Sequence, residues 1–445
     1  MKLPIVQLTE HSCVPLENGK ISTEMKSSGV MFLNARPEDL FLGDVKESKF
    51  PFGEEQPASF EIEKSQIKVN YHIGVDWLIP EQVAIRTIPK VNDEQVVDIA
   101  SLLREALEDP DNLEHLKDLL YIDFQAKPIP LNCEDGLNLF VIIAFVSSVQ
   151  QILKRGLKKS FYDCTESLKF KLKGKVGLTK TLSRTKTKPI IQNVLCRYQD
   201  FGVDIPENQL IKAALKVSLR LVRNQTVSLD LQELEKSLNQ TLNFFGNVSD
   251  VSRRSLSKNF QVNPFFKAYQ TALRLARMVL KLERYSDLNI RDGVCQNVPA
   301  YWINMPKLFE LYVYKKLKGA IGNDGMVVYH AKAHRQELDF LAKSSFPELP
   351  YFIADAKYKP RYFCSDINKE DARQLAGYSR LTKVVRTLEN WGMKDEDRTI
   401  PCLVIYPEKT ADTFLELKNI QPIDSYVKFY KLGIKLPVVK PDFQV

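Results

Sequence analysis

The sequence predicts a multi-domain α+β protein with a β-rich N-terminal part, a helical middle part and a C-terminal α/β part on a mixed sheet. Three observations predict this class. Apolar and polar residues alternate over residues 59–78, apolar residues recur at helical spacing in the middle of the chain, and strand-like and helix-like segments alternate in its last third. Because domains of about 150 residues are common, a chain of 445 residues predicts three domains, here 1–130, 131–296 and 297–445.

The net charge of +8 is distributed unevenly along the chain. Residues 1–153 hold 13 basic and 25 acidic side chains, residues 154–188 hold 12 and 2, and the remainder holds 38 and 28. The acidic residues 1–153 are suited to binding a protein, whereas the basic residues 154–445 are suited to contact with a polyanion. The alternative is that charge varies between domains without a function. An apolar fraction of 44% and a charged fraction of 27% exclude collagen-like, low-complexity and wholly disordered classes.

Three features predict a soluble cytoplasmic protein without a membrane span. The first 13 residues do not have the basic and apolar segments of a secretory signal. The most apolar segment, residues 137–153, contains an unbroken apolar run of only eight residues, so it predicts a buried helix. The seven cysteines are never closer than 31 positions, which suits a reducing compartment and leaves no zinc-binding or redox pair.

The N-terminal part is predicted to consist mainly of strands. Residues 59–78 form one alternating segment, and residues 82–88 form a second strand that ends at Pro89. Residues 34–58 contain three prolines and many acids, which is typical of a long loop. One or two acidic helices are expected between positions 96 and 120.

The middle part is predicted to be a helical domain with a basic face. A buried helix over residues 137–157 leads into the basic run, which we define as residues 154–188. Apolar residues at helical spacing predict further helices over 208–222 and 265–282. The glycines of the basic run are predicted to form a turn, and the absence of a G-x-x-x-x-G-K-[ST] motif predicts that this chain binds no nucleotide.

The last third is predicted to be an α/β domain. Its expected order is helix, strand, strand, strand, helix and strand, over residues 305–317, 326–329, 337–342, 351–358, 371–388 and 402–406.

Asp355 and Lys357 give the strongest chemical signal. They lie two positions apart at the end of an apolar stretch, so on a strand both side chains leave the same face. If residues 344–350 close a hairpin, Asp339 lies opposite Asp355 and the two carboxylates converge. Such a pair suits Mg²⁺, or Mn²⁺ as its substitute, and Lys357 could orient or activate a water for phosphodiester hydrolysis. The alternative is a buried Asp–Lys ion pair that only stabilises the strand.

Flanking residues extend this candidate catalytic site. Glu310 on the preceding helix could supply a third acidic ligand, or it could face solvent. Gln374 and Tyr378 lie four positions apart on the following helix, so they share a face and could bind metal-bound water or phosphate. Lys359 and Arg361 continue the positive edge and could hold the DNA backbone.

The basic run, which includes Lys173 and Lys175, has two interpretations. Its twelve basic residues could contact DNA phosphates or an acidic partner, or they could form a solvated surface without a ligand.

The order of Asp339, then Asp355-Ala356-Lys357, then a helix with Gln374 and Tyr378 resembles the PD-(D/E)xK nuclease superfamily, with Leu338 in place of the proline. More narrowly, the chain resembles the McrC family, the nuclease subunits of McrBC methylation-dependent restriction systems. The resemblance rests on segments at 71–76, 88–90, 154–158, 172–176, 206–215, 305–310 and 355–359, and residues 1–70 do not contribute to it.

The McrC resemblance implies a Mg²⁺-dependent nuclease that cuts double-stranded, 5-methylcytosine-containing DNA in defence against foreign DNA. It also implies that residues 1–130 dock on a hexameric, GTP-driven, McrB-like AAA+ ring, which reads the modified base and whose NTPase the chain stimulates. Two other functions remain open: a non-catalytic adaptor that activates an AAA+ ring, and a stand-alone DNA repair nuclease.

Overall fold

The computed structural model divides into two compact units. The first comprises Met1–Ala144, Val227–Leu229 and Arg284–Val445, and the second comprises Phe145–Thr226 and Asp230–Glu283. The three-domain division stays a prediction, because the first and last parts of the chain belong to the same compact unit. The structure describes residues 3–17, 20–21, 31–33, 48–49, 60–63, 66–92, 95–131, 136–177, 193–223, 232–250, 267–292, 296–322, 324–333, 336–359, 367–394, 399–412 and 414–439.

The N-terminal part of the first unit is built from short strands, as predicted. The segment over residues 59–78 is not one strand, since it contains all or most of three. Apart from one short strand, the loop predicted over residues 34–58 lies outside the described residues. The strands are β1 (Ile5–Thr9), β2 (Cys13–Glu17), β3 (Lys20–Ile21), β4 (Met31–Leu33), β5 (Ser48–Lys49), β6 (Phe60–Glu63), β7 (Gln66–Val69), β8 (His72–Ile79) and β9 (Val83–Ile88).

The acidic segment that follows forms two short helices, which confirms the prediction. Helix α1 (Ile99–Ala106) begins after Asp98, whose carboxylate accepts a hydrogen bond from the Ser101 backbone N–H at 3.0 Å. A 3₁₀ helix (Pro110–Asp118) comes next, and the short strands β10 (Leu120–Asp123) and β11 (Ile129–Leu131) complete this part.

Helix α2 (Leu137–Arg155) is the apolar helix predicted from the sequence. Its length and composition alone would allow it to cross a membrane, but 67% of its apolar window is buried inside the protein. The prediction of a buried helix is therefore confirmed.

The middle part is not wholly helical, contrary to the prediction. Strand β12 (Ser160–Lys169) pairs along its whole length with β14 (Asn193–Gly202), and β13 (Lys175–Val176) pairs with β14 from the other side. This ribbon was missed because it is largely exposed on both faces and carries no continuous apolar stripe. Gly174 has a φ of 68° immediately before β13, which agrees with the predicted turn.

The other two predicted helices of the middle part are confirmed. They correspond to α3 (Pro206–Arg223) and α5 (Lys267–Asp292), and α4 (Gln232–Asn243) lies between them.

The last third has the predicted order of elements, except that the helix expected over residues 371–388 is divided into two. Two short strands, β15 (Gln296–Val298) and β16 (Ala300–Asn304), precede it. The remaining elements are α6 (Met305–Ile321), β17 (Met326–Ala333), β18 (Gln336–Lys343), β19 (Tyr351–Ala356), α7 (Lys369–Tyr378), α8 (Thr382–Asn390), β20 (Cys402–Pro407), a 3₁₀ turn (Leu417–Asn419), β21 (Gln421–Pro422) and β22 (Phe429–Ile434).

Two six-stranded sheets organise the first unit. The N-terminal sheet has the order β10-β16-β8-β9-β1-β4, so a strand from the last third of the chain lies inside it. The C-terminal sheet has the order β17-β18-β19-β20-β22-β21. It is mixed, as predicted, because β17 to β19 are antiparallel and β19, β20 and β22 are parallel. Strand β19, which is buried from Phe352 to Asp355, is therefore central and ends at the candidate site.

Candidate active site

Asp339 and Asp355 lie opposite each other on neighbouring antiparallel strands. Phe340 of β18 pairs with Ala354 of β19, and continuation of this register sets Asp339 opposite Asp355. The backbone N–H of Ala356 donates to Oδ2 of Asp339 at 2.9 Å, which fixes this carboxylate beside the end of β19. The two carboxylates therefore converge in the way that the hairpin hypothesis requires.

Burial and like charge act together on this carboxylate pair. Asp355 is only 3% exposed. Burial raises the pKa of Asp339 well above its usual range, and the charges of Asp355 and Glu310 raise it further. Burial also raises the pKa of Asp355, against the lowering effects of Lys357 and of its hydrogen bond with Asp339. A proton or a cation between the two carboxyl groups would relieve this repulsion.

Lys357 is held as an ammonium beside the carboxylate pair. Its Nζ lies 2.7 Å from Oδ2 of Asp355 and donates to Oε1 of Gln374 at 3.1 Å. Burial alone would lower the pKa of Lys357, but the surrounding carboxylates, Asp355 first, raise it above its ordinary value. Lys357 therefore keeps its proton at neutral pH and acts as a hydrogen-bond donor and a positive charge.

The helix after the Asp-Ala-Lys segment brings Gln374 and Tyr378 together, as their spacing predicts. Nε2 of Gln374 donates to the Tyr378 hydroxyl at 2.9 Å, while its carbonyl oxygen accepts from Lys357. Gln374 thus connects the lysine to helix α7. Tyr378 is buried, so its hydroxyl supports Gln374 from within the protein.

Asp371, in the first turn of α7, is a site residue that sequence reasoning missed. Its carboxylate accepts from Lys359 Nζ at 2.9 and 3.1 Å and lies 3.8 Å from Lys357 Nζ. Asp371 is only 6% exposed, and a carboxylate is rarely buried to this extent unless it is paired, as Asp371 is with Lys359. The available signal was an acid 12 residues after a lysine, which is too common to be diagnostic. The charge of Lys359 is therefore paired here, and Arg361 lies outside the described residues.

Glu310 does not project freely from helix α6 into solvent. Its Oε2 accepts from the Tyr329 hydroxyl at 3.1 Å and from Lys307 at 3.4 Å, and it lies 3.3 Å from His330 Nε2. Burial opposes its ionisation, but His330, Lys307 and Tyr329 together lower the pKa of Glu310. The negative charge of Glu310 contributes to the raised pKa of Asp339.

The two aspartates are suited to a hard divalent cation. Carboxylate oxygens are the protein ligands that Mg²⁺ prefers, and a divalent cation would relieve the repulsion that raises both pKa values. Within the described parts of the chain, no group of three or more His, Cys, Asp or Glu side chains is arranged to hold a metal ion. The donor set that fits Mg²⁺ is therefore the pair Asp339 and Asp355, and a direct metal contact by Glu310 stays a prediction.

The described part of the basic run forms an exposed surface of the second unit. Lys173 Nζ lies 3.9 Å from the centre of the Tyr198 ring and 3.7 Å from Asp200. Lys175, on β13, is exposed. The exposed apolar side chains of this surface include Phe161 and Phe170, at 69% and 74%. The surface therefore presents both charge and aromatic rings.

The chain is similar to known restriction-system proteins. The family model described as "McrBC 5-methylcytosine restriction system component" matches residues 68–388. A solved structure of Thermococcus gammatolerans McrB AAA+ hexamers with bound McrC contains a similar chain, at 14% identity and a TM-score of 0.40, with 97% of this chain and 94% of that chain covered. A chain of the Thermococcus gammatolerans McrBC complex matches at 15% identity and a TM-score of 0.30, covering 72% and 88%. No curated protein matches the chain.

Proposed function

Because the chain belongs to the family of McrBC 5-methylcytosine restriction system components, we propose that it is the Mg²⁺-dependent endonuclease subunit of such a system. The supporting observation is the convergence of Asp339 and Asp355 beside Lys357 at the end of a buried strand. A pair of buried, mutually repelling carboxylates is costly for a fold that does not use it. We therefore favour catalysis over a purely structural ion pair.

Each residue of the site has a defined part in the proposed phosphodiester hydrolysis. Asp339 and Asp355 would hold Mg²⁺, which when bound supplies a Lewis acid and lowers the pKa of coordinated water. Lys357 remains protonated, so it orients water and offsets the negative charge that develops on the phosphate. Gln374 holds the Lys357 ammonium in place, and Tyr378 holds Gln374. Glu310 adds negative charge next to Asp339 and is a candidate third acidic group.

DNA would be held by positive charge around and away from this site. We propose that Lys359 and Arg361 bind the backbone near the scissile bond and that Lys173 and Lys175 bind it at the second unit. The DNA contact expected for Tyr378 would be indirect, through Gln374, because Tyr378 is buried. The support is the net charge of the basic run and the exposure of Lys175. Lys359 would first have to exchange its contact with Asp371 for phosphate.

The partner we propose is a ring-forming, GTP-driven, McrB-like AAA+ protein in the cytoplasm. The Thermococcus gammatolerans structures are described as McrB AAA+ hexamers with bound McrC and as a McrBC complex. For this chain the support is its family and the acidic charge of residues 1–153, which suits a protein partner better than DNA. In this proposal the chain also stimulates the NTPase of the ring, and the ring selects the methylated DNA.

The test is cleavage of methylated DNA by the chain together with its ring partner and Mg²⁺. Asp355→Asn and Lys357→Ala should each lower cleavage by at least about 100-fold, while stimulation of the partner's NTPase persists. The matched control is Glu207→Gln, because Glu207 is also a poorly exposed carboxylate paired with a lysine, Lys158, at 2.8 Å. Cleavage at the wild-type rate by either site variant would refute the assignment.

A non-catalytic adaptor is the second candidate. It is favoured by the finding that, among the described residues, no group of three or more His, Cys, Asp or Glu side chains is arranged to hold a metal ion. Calorimetric titration with Mn²⁺ separates the two functions. A nuclease should bind the ion, and Asp339→Asn should abolish binding, whereas an adaptor should not bind it at all. Cutting of unmethylated DNA without any partner would instead support the stand-alone nuclease.

A further inference from the structure

Three segments that carry the family resemblance meet at one lysine. Lys90, the residue after Pro89, places its Nζ 4.5 Å from the ring centre of Tyr71 and 4.5 Å from that of Tyr358. Tyr71 begins the segment 71–76, and Tyr358 immediately follows Lys357. A lysine between two aromatic rings is attracted to both faces by cation–π interaction. Lys90 therefore connects the N-terminal sheet to the segment that carries the catalytic lysine.

A buried carboxylate from the start of the chain completes this arrangement. Glu10 is 2% exposed, its backbone N–H donates to the Ile88 carbonyl at 2.9 Å, and its Oε1 accepts from the Lys90 backbone N–H at 3.0 Å. Burial raises the pKa of Glu10 to about 7, while Lys90 and the Tyr358 hydroxyl lower it. Glu10 lies outside residues 68–388, the part that the family model matches. We call Glu10, Tyr71, Lys90 and Tyr358 the Lys90 cluster.

Tyr358 is the member of the Lys90 cluster that is covalently joined to the nuclease site, because it directly follows Lys357 in the chain. It is 4% exposed, and its ring packs against Phe309 with 5.8 Å between ring centres. On either side of it, Lys357 and Lys359 both direct their ammonium groups toward Asp371. The backbone N–H of Lys357 donates to Ile405 at 2.8 Å. Tyr358 therefore links the Lys90 cluster to Lys357 along the backbone.

We propose that Glu10 and Lys90 are positioning residues for the nuclease site. Glu10 fixes the backbone of Lys90, and Lys90 holds the ring of Tyr358 and thereby fixes the Lys357 ammonium beside Asp355. The inference rests on the proposed function, because it assigns these residues a part in the same reaction. It gives the segment before residue 68 a role in catalysis without contact with substrate or metal. A merely structural role would lower stability throughout the first unit, whereas positioning acts on residues 357–359 and on turnover.

The first experiment is hydrogen exchange of the full chain, without metal or partner. Lys90→Met and Glu10→Gln should speed exchange of the Lys357 and Lys359 amides at least tenfold. Lys90→Arg, which keeps a cation between the rings, should restore exchange to the wild-type rate. Glu207→Gln serves as the control for loss of a poorly exposed carboxylate elsewhere.

The second experiment measures cleavage of methylated DNA with the ring partner and Mg²⁺. Lys90→Met and Glu10→Gln should lower kcat at least tenfold and leave KM for DNA unchanged, and Lys90→Arg should restore kcat. If Lys90→Met does not fold, Lys90→Gln, which keeps a polar side chain but removes the charge between the two rings, decides the result.

Three outcomes distinguish the inference from the proposed function. Exchange and kcat equal to those of Glu207→Gln, with Asp355→Asn inactive, would overturn the positioning role and leave the nuclease assignment intact. Faster exchange over the whole first unit, without a specific change at 357–359, would also overturn it. Cleavage by Asp355→Asn at the wild-type rate would refute the proposed function, and hydrogen exchange alone would then decide whether the Lys90 cluster holds Lys357.

Discussion

The Lys357 ammonium lies 2.7 Å from the carboxylate of Asp355, where Asp355 is on β19 and Lys357 immediately follows the end of that strand. One positive charge beside two buried carboxylates leaves the Asp339–Asp355 pair incompletely compensated, as their raised pKa values indicate. In the proposed function a divalent cation relieves this repulsion, and in the metal-free protein a proton can take its place. This imbalance makes the stability of the metal-free protein depend on pH.

Asp339→Asn should stabilise the metal-free protein at neutral pH. Burial and the charge of Asp355 raise the pKa of Asp339 in the folded state, so its contribution to stability is greatest below the unfolded-state pKa of about 3.9 and is lost as pH rises through the folded-state value. Asparagine removes that loss and can still accept from Ala356. We expect the Tm in EDTA to rise by about 1–2 °C at pH 8, a gain of roughly 1 kcal/mol. The gain should vanish near pH 4, and equal gains at both pH values would contradict the electrostatic origin.

Asp371→Asn should separate DNA binding from cleavage. The change weakens the anchor of Lys357 and Lys359, so their ammonium groups become more mobile. We expect cleavage with the ring partner to fall roughly tenfold, because pre-organised charge is lost, while DNA affinity stays equal or rises. Fluorescence anisotropy and cleavage rates measure the two effects. The neighbouring exposed carboxylate supplies the control, Glu370→Gln, and a parallel loss of affinity in Asp371→Asn would count against the prediction.

Lys173→Ala with Lys175→Ala should weaken binding to DNA of any sequence. If both lysines contact phosphates, the slope of the logarithm of affinity against the logarithm of salt should decrease by about 1 for each. Filter binding at salt concentrations from about 50 to about 200 mM measures this slope, because DNA affinity falls steeply over this range. Lys216→Ala, at a lysine paired with Asp250 in the same unit, is the control. An unchanged slope would support the solvated-surface interpretation of the basic run.

The pairing of Asp339 with Asp355 was predictable because period-two alternation and a hairpin loop fix the register of a buried strand. The contact between Gln374 and Tyr378 was predictable because residues four positions apart lie on the same face of a helix. Asp371, Glu10 and Lys90 were not, because their roles depend on contacts between segments that are distant in sequence. The β12–β14 ribbon was missed because exposed strands lack the apolar periodicity on which sequence reasoning depends. The long helix expected over residues 371–388 is interrupted at Ser379–Leu381, although no glycine or proline occurs between Tyr378 and Thr382.

Strand β16 joins the N-terminal sheet by pairing with β8, with Tyr301 opposite Val75, and Trp302 Nε1 donates to Asp76 at 3.2 Å. During synthesis, therefore, β8 is made more than 200 residues before β16, the strand with which it pairs. Contacts of such sequence separation slow folding. The sheet is completed at Asn304, and helix α6, with Glu310, begins at the next residue. The order of synthesis thus makes completion of the N-terminal sheet a late event, which directly precedes synthesis of the segments that carry Asp339, Asp355 and Lys357.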